Sequence, residues 1–336
     1  MRIFITGQFL VALAVTFALI GYLIATGTAD AVERQPHDAM ATAGAATPAA
    51  PAGTEAPLEF QPPAESSLAD DEFGKVVRQG KEIFTHTDTA LPQYVGNNLK
   101  CSNCHLDAGT KANAAPMWAA YGLYPAYRKK NGHVNTFTER LQECFHYSMN
   151  GRMPPAGDPG LVALESYAYW LAKGAPTGVK LEGQGFPKLN KPALPADYAR
   201  GEVVYGAHCA ACHKADGSGG ALGEIAVPPL WGNDSYNWGA GMHEVNNAAG
   251  FIKANMPLGQ GNSLSDQDAW DVALYIDSHE RPQDPRFSGS VAQTRQLYHD
   301  SPNSMYGQTV NGHVLGSGSV PAGGRLAART AAGGAQ

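Results

Sequence analysis

Two pentapeptides, Cys101-Ser102-Asn103-Cys104-His105 and Cys209-Ala210-Ala211-Cys212-His213, constrain this chain more than any other feature. Both are C-x-x-C-H. At that spacing two thiols reach the two vinyl groups of one porphyrin, and the adjacent histidine lies under the iron as proximal ligand. A single C-x-x-C also suits a dithiol redox pair or half a zinc site. Two copies, each completed by histidine, point instead to two covalently bound haem c groups. His105 and His213 are the expected axial ligands, and Cys101, Cys104, Cys209 and Cys212 the expected attachment points.

Haem c is attached outside the bacterial cytoplasm, and the N-terminus agrees with export. Arg2 is the only charge before an apolar run from Phe9 to Ala25, and Ala29-Asp30-Ala31 offers a small-x-small cleavage site. Residues 1–31 are expected to be a signal peptide or a membrane anchor, the anchor lying in 3–25. Residues 32–68 are Pro/Ala/Thr-rich and short of large apolar side chains, so a disordered tether is expected. The formal net charge of −6 leaves no broad basic face for nucleic acid.

The haem motifs sit inside an internal repeat. Arg78–Phe84 (RQGKEIF) precedes the first as Ala199–Tyr205 (ARGEVVY) precedes the second. Met153-Pro154 and Met256-Pro257 follow, and apolar, aromatic segments close each half at Leu164–Ala172 and Asp268–Ile276. Helix, haem motif, Met-Pro loop and closing helix together resemble the mitochondrial-type cytochrome c domain, present twice. The expected fold is all-α and loop-rich, with cytochrome c domains at 69–180 and 196–285, a Pro/Gly/Lys linker at 181–195, and an extension at 286–336. The start of that extension is expected to wrap the second domain. Its last twenty residues are expected to be disordered, and His299 and His313 to be solvated.

In the second half Met256 is the natural sixth ligand, and a Met/His pair raises the haem potential. The first half departs from the repeat. Met153 lies 48 residues past His105, against 43 from His213 to Met256, and the insertion brings in a fifth cysteine, Cys144, 39 residues past His105. Spacing admits either Cys144 or Met153, with His146 and Met149 as further rivals. A fifth cysteine in an exported protein risks oxidation, and thiolate ligation to iron would protect it while lowering the haem potential.

Cys144–Gly151 (CFHYSMNG), Trp231–Met242 (WGNDSYNWGAGM) and Phe251–Pro257 (FIKANMP) resemble the tetrathionate-forming thiosulfate dehydrogenases, a family of dihaem cytochromes c. The resemblance spans about residues 70–285. It implies His105 and Cys144 as the axial pair of the active-site haem, and the reaction 2 S₂O₃²⁻ → S₄O₆²⁻ + 2 e⁻, or its reverse. It implies a substrate-binding role for Arg140 and Ser148, and more loosely for Arg128 or Lys130. Asn255 stands where some members place a lysine ligand, so this chain resembles the Met256-ligated members.

The chemistry suits those residues. Two dianions must meet, and each pair of unit charges at ~4 Å costs about 1 kcal/mol even in water. Guanidinium forks on sulfonate oxygens offset that. Arg140, one turn before Cys144, shares its face if the segment is helical. The expected electron acceptor is a periplasmic or membrane protein such as another cytochrome c. The principal rival is a non-catalytic dihaem electron carrier that uses Met153. A cytochrome oxidising a carrier-bound sulfur substrate and a dihaem peroxidase are further alternatives.

Overall fold

Short polar side chains set where most of the helices begin. α1 (Glu72–Thr85) follows Asp71, α2 (Phe137–Glu143) follows Thr136, α3 (Pro159–Leu171) follows Asp158 and α4 (Tyr198–His208) follows Asp197. α5 (Val245–Asn255) starts without a side-chain cap, and α6 (Asp266–Asp277) and α7 (Val291–Tyr298) follow Ser265 and Ser290. Each capping oxygen accepts a first-turn N–H that has no partner within its helix. Three antiparallel hairpins interrupt this helical chain: β1–β2 (Ala126–Arg128, His133–Asn135), β3–β4 (Gly220–Leu222, Ile225–Val227) and β5–β6 (Thr309–Val310, His313–Val314). The computed structural model describes residues 59–326 except 224. The expected signal or anchor and most of the tether fall outside the described residues. Among those described, no helix is long and apolar enough to cross a membrane.

The internal repeat is visible at two helix crossings. α1 packs on α3, and α4 on α6, with a glycine at each contact. A Cβ on Gly80 would stand 2.0 Å from the Ala163 carbonyl oxygen and 2.8 Å from Tyr167 Cβ. A Cβ on Gly201 would stand 2.1 Å from the Asp271 carbonyl oxygen and 2.8 Å from Tyr275 Cβ. Four residues on from each glycine, Phe84 meets Tyr167 at 5.8 Å between ring centroids, and Tyr205 meets Tyr275 at 5.2 Å. The same glycine-to-aromatic contact is thus built twice.

Each crossing floors a separate core. The first gathers Val77, Phe84, Phe145, Leu161 and Tyr167, and also takes in Tyr236 and Ala240 from the loop before α5. The second gathers Tyr205, Trp231, Ala249, Trp270 and Tyr275, with Met242 packed against both. The 181–195 segment is pinned on both sides. Gly183 and Gly185 accept the Asn113 and Ala115 amides of the first half, and the Asn190 carbonyl accepts Trp270 Nε1–H of the second.

Three expectations need correction. The last part of the 32–68 segment packs rather than dangles: Phe60 and Leu68 lie against the first core, Phe60 5.6 Å from the Trp118 ring. His299 is fully buried, 2.9 Å from Asp284 Oδ2 through Nε2, because the extension folds back and forms a small core of Trp238, Tyr306 and Leu315. Residues 317–326, expected to be disordered, are hydrogen-bonded: Ser319 Oγ accepts Trp238 Nε1–H, Gly323 N–H donates to Asn150, and Arg325 N–H donates to the Gly96 carbonyl. Apolar side chains too sparse to mark a helix still sufficed to seat these segments on an existing surface.

Gly80→Ala and Gly201→Ala are each expected to destabilise the holoprotein by about 1–3 kcal/mol, since backbone must move to admit a methyl group. Gly206→Ala, on the same helix as Gly201 with no atom within 4 Å of its Cβ position, is expected to be neutral or mildly stabilising. Guanidinium-unfolding midpoints of the three variants check this.

Candidate active site

The first-half insertion builds one wall of a cavity. It opens with the β1–β2 hairpin, which carries Arg128 at its end, opposite His133, and Lys130 in its turn. α2 follows, its start fixed by a reciprocal capping box between Thr136 and Glu139. α2 runs into a π-helical turn, Cys144–Ser148, in which the Met149 N–H donates to the Cys144 carbonyl at 2.9 Å. A π-turn inserts one residue into the ladder and is common where side chains must be re-aimed at functional sites. Here it lies directly under Cys144.

The cavity measures about 620 Å³. Cys101, Cys104 and His105 lie on its lining, together with Cys144, Arg140, Ser148, Arg128, Lys130 and Met149. Met153 and His146 are not among the lining residues; Met153 is 45% exposed at the surface, and His146 packs beside Tyr147 at 4.8 Å. Of the rival ligands, the structure therefore gathers Cys144 and Met149 and leaves the other two outside.

The residues present fit a covalently held porphyrin. Cys101 and Cys104 stand with His105 on the cavity lining, both partly buried and neither paired in a disulfide. The His105 Nδ1–H points at the Ala115 carbonyl 2.7 Å away, and burial lowers the pKa of the ring. A neutral imidazole so held presents Nε2 to a metal. Ala115 is itself braced, its N–H donating to Gly185 in the interdomain segment at 2.9 Å. The second motif repeats the arrangement: His213 Nδ1 lies 3.0 Å from the Pro228 carbonyl, and burial lowers that ring's pKa also. Cys209 is half-buried and Cys212 exposed, and both Cys209 and Met256 pack against the second core. Met256 caps the C-terminal end of α5.

Charge on the first cavity is one-sided. Lys100, Arg128, Lys129, Lys130 and Arg140 line it, against the single carboxylate of Glu143. Glu143 is occupied by Arg140 at 3.5 Å and by the Asn131 amide at 2.6 Å. The Cys144 sulfur, then Tyr124 and Glu143, raise the pKa of the Arg140 guanidinium. Arg128 lies over the Tyr124 ring at 5.5 Å, and the same phenol neighbours the Arg140 guanidinium. Lys130 is an exposed residue whose ammonium donates to the Gly239 carbonyl and stands 3.5 Å from the centroid of the Tyr147 ring. Desolvation, then repulsion from Arg140 and Arg286, pushes Lys130 down to about 7.

Sequence reasoning missed Tyr124 and the wall supplied from beyond the first half. Phe186 of the linker and Tyr236 and Met242 of the second half line the same cavity. The one available signal for the last two was the Trp231–Met242 segment, whose aromatic and small residues suit a loop packed between two cores.

The model of the cytochrome c oxidase, cbb3-type, subunit III family matches residues 196–276. The thiosulfate dehydrogenase of Thiomonas intermedia (strain K12) is 56% identical over 264 residues, covering 78% of this chain and 84% of that protein. The chain belongs to the thiosulfate dehydrogenase family. A second member, from Stutzerimonas stutzeri (strain A1501), is 54% identical over 263 residues, covering 77% of this chain and 85% of its own. The solved thiosulfate dehydrogenase (TsdBA) from Marichromatium purpuratum, in its as-isolated form, superposes with a TM-score of 0.75 at 50% identity. That match covers 78% of this chain and spans 58% of the solved one. As in its family, the chain is an oxidoreductase of cytochrome c type with covalently bound haem c.

With the Lys130 ammonium pushed down to about 7 by desolvation, the cavity is expected to be more cationic at pH 6 than at pH 8. Sulfate affinity of the holoprotein is expected to strengthen by roughly three- to tenfold on going from pH 8 to pH 6, on the order of 1 kcal/mol for one screened charge. In Lys130→Met the dependence should flatten; isothermal titration at both pH values checks it.

Proposed function

We propose that the protein oxidises two thiosulfate ions to one tetrathionate, with Cys144 as the reacting sulfur. The observation that carries this reading is the position of Cys144: the cysteine outside both haem motifs lines the cavity that holds the first motif and five cationic side chains. In this reading His105 and Cys144 hold the first haem, and His213 and Met256 the second. When bound, the two haems supply a one-electron redox centre each, matching a reaction that releases two electrons.

The protein's own residues account for the rest. Arg140 and Arg128, both beside Tyr124, present guanidinium forks to sulfonate oxygens, and the Ser148 hydroxyl adds a donor from the turn that carries Cys144. They offset the repulsion that opposes a meeting of two dianions. The Cys144 thiolate joins the outer sulfur of one thiosulfate as two electrons leave, giving Cys–S–S–SO₃⁻. The outer sulfur of a second thiosulfate attacks the sulfur that the first contributed, the bond to Cys144 breaks, and tetrathionate departs with the thiolate restored. Both bond changes can run backwards, so the same residues serve tetrathionate reduction when the electron donor is strong enough. The reaction is placed in the periplasm, with another cytochrome c, periplasmic or membrane-bound, as acceptor. The electron-carrier alternative needs Met153 at the first haem, and its surface position counts against that.

Cys144→Ser is expected to keep both haems, to lose a thiolate-type low-spin signal in the electron paramagnetic resonance spectrum, and to lower turnover by about 10³-fold or more. A variant with wild-type turnover and an unchanged spectrum would sink the reading. Arg140→Gln is expected to raise KM for thiosulfate about 10- to 100-fold, the loss of one charged hydrogen bond, as steady-state kinetics will show.

A further inference from the structure

The π-turn that carries Cys144 leaves carbonyls without their usual helical partners, and the partners come from elsewhere in the chain. Asn237, in the loop before α5, donates through Nδ2 to the His146 carbonyl at 2.9 Å and through its backbone N–H to the Tyr147 carbonyl at 3.3 Å. Asn97 donates through Nδ2 to the Ser148 carbonyl at 2.8 Å and, across to that same loop, to the Ser235 carbonyl at 3.2 Å. Gly96 N–H donates to the Met149 carbonyl at 2.9 Å. Three successive carbonyls of the Cys144 turn, and the one after it, are thereby held from outside.

A third asparagine links this clamp to the end of the chain. Asn150 takes a left-handed conformation, φ 45°, and its Oδ1 accepts both Asn237 Nδ2–H at 3.2 Å and Gly323 N–H at 3.2 Å. Two residues on, Arg325 N–H reaches the Gly96 carbonyl at 2.9 Å. Asn97, Asn150 and Asn237 are all 3% exposed or less. Buried amides are costly unless bonded; Asn150 Nδ2 finds no partner among the described residues, but the Asn97 and Asn237 amides are bonded through both ends, which fixes geometry more rigidly than apolar packing does. The approach is close as well: a Cβ on Gly239 would stand 2.3 Å from Tyr147 Cδ1, so the loop lies directly on the turn.

We propose that Asn237, working through Asn150 with the segment Gly323–Arg325, is a positioning residue that fixes the direction of the Cys144 sulfur. This rests on the reading of Cys144 as haem ligand and reacting group. Asn237 touches neither the sulfur nor the substrate site; it acts on the carbonyls of the turn on which Cys144 and Ser148 are mounted. The clamp makes the geometry of the first site depend on the second half and on the extension, although neither contributes the reacting atom.

The test compares three holoproteins with wild type. Asn237→Ala removes the amide; Tyr306→Phe removes a buried hydrogen bond, Tyr306 Oη–H to Gln283 Oε1 at 2.9 Å, that does not touch the turn; a chain ending at Ala322 removes the Gly323–Arg325 segment. Asn237→Ala is expected to broaden or split the thiolate-type low-spin signal and to lower kcat about tenfold with KM changed less than about twofold. The truncated chain should show a smaller shift in the same sense. Tyr306→Phe should lose thermal stability while its spectrum and kcat stay within error of wild type. The proposal is overturned if Asn237→Ala gives a wild-type spectrum and no larger fall in kcat than Tyr306→Phe, whatever its melting temperature. Should Asn237→Ala not accumulate, an unshifted spectrum in the truncated chain overturns it. Absence of any thiolate-type signal from the wild-type protein would instead refute the Cys144 reading beneath it.

Discussion

Everything in this molecule hangs on helices that cross with no side chain between them. At Gly80 and Gly201 the backbone of one helix rests on the carbonyl of another, closer than any residue with a Cβ allows. Each crossing brings a helix close to a C-x-x-C-H segment and sets one aromatic ring on another. On the dihaem reading, the core of each half is finished by a group that the chain does not encode, and the glycine crossings hold the helices that flank it.

Much of this was legible because its causes are local. C-x-x-C-H works through covalent reach, and aligning the Arg78–Phe84 and Ala199–Tyr205 segments puts Gly80 opposite Gly201 from the letters alone. The first-half insertion was legible as an anomaly, through a fifth cysteine with arginine one turn earlier. Its π-turn was not, because the turn depends on Asn97 and Asn237, which lie 47 and 93 residues from Cys144. Nor was the course of the extension: His299 reads as an ordinary tail histidine until Asp284 and His243 close over it. Buried polar networks leave no periodicity, so pattern reading passes over them.

The electrostatics follow the same division between local and assembled. A chain of formal charge −6 holds a cavity with five cations and one acid, so attraction for an anion is short-ranged and set by geometry. Tyr124 and Tyr147 are the spacers, with Arg128 beside one ring and Lys130 beside the other. Rings keep cations apart without neutralising them, as extra carboxylates would. Arg286 approaches the Tyr147 ring too, at 5.2 Å, and is held by Asp284. Burial pushes the Asp284 carboxyl up, but Arg286 and His299 outweigh it and keep the carboxylate well below its ordinary range.

The exchange of amides between the halves bears on how such a chain can evolve. The halves look like products of a duplication, each with its glycine crossing and its histidine. Yet Asn255 of the second donates to Asn113 of the first at 3.0 Å, Tyr236 and Ala240 are buried in the first core, and Gly185 braces the carbonyl partner of His105. The first core is completed by residues of the second half, while the second core is built without residues of the first. The dependence is one-sided: a foreign cytochrome in place of the second half would strip Tyr236 and Ala240 from the first core, so the half that carries Cys144 cannot be transplanted without its neighbour.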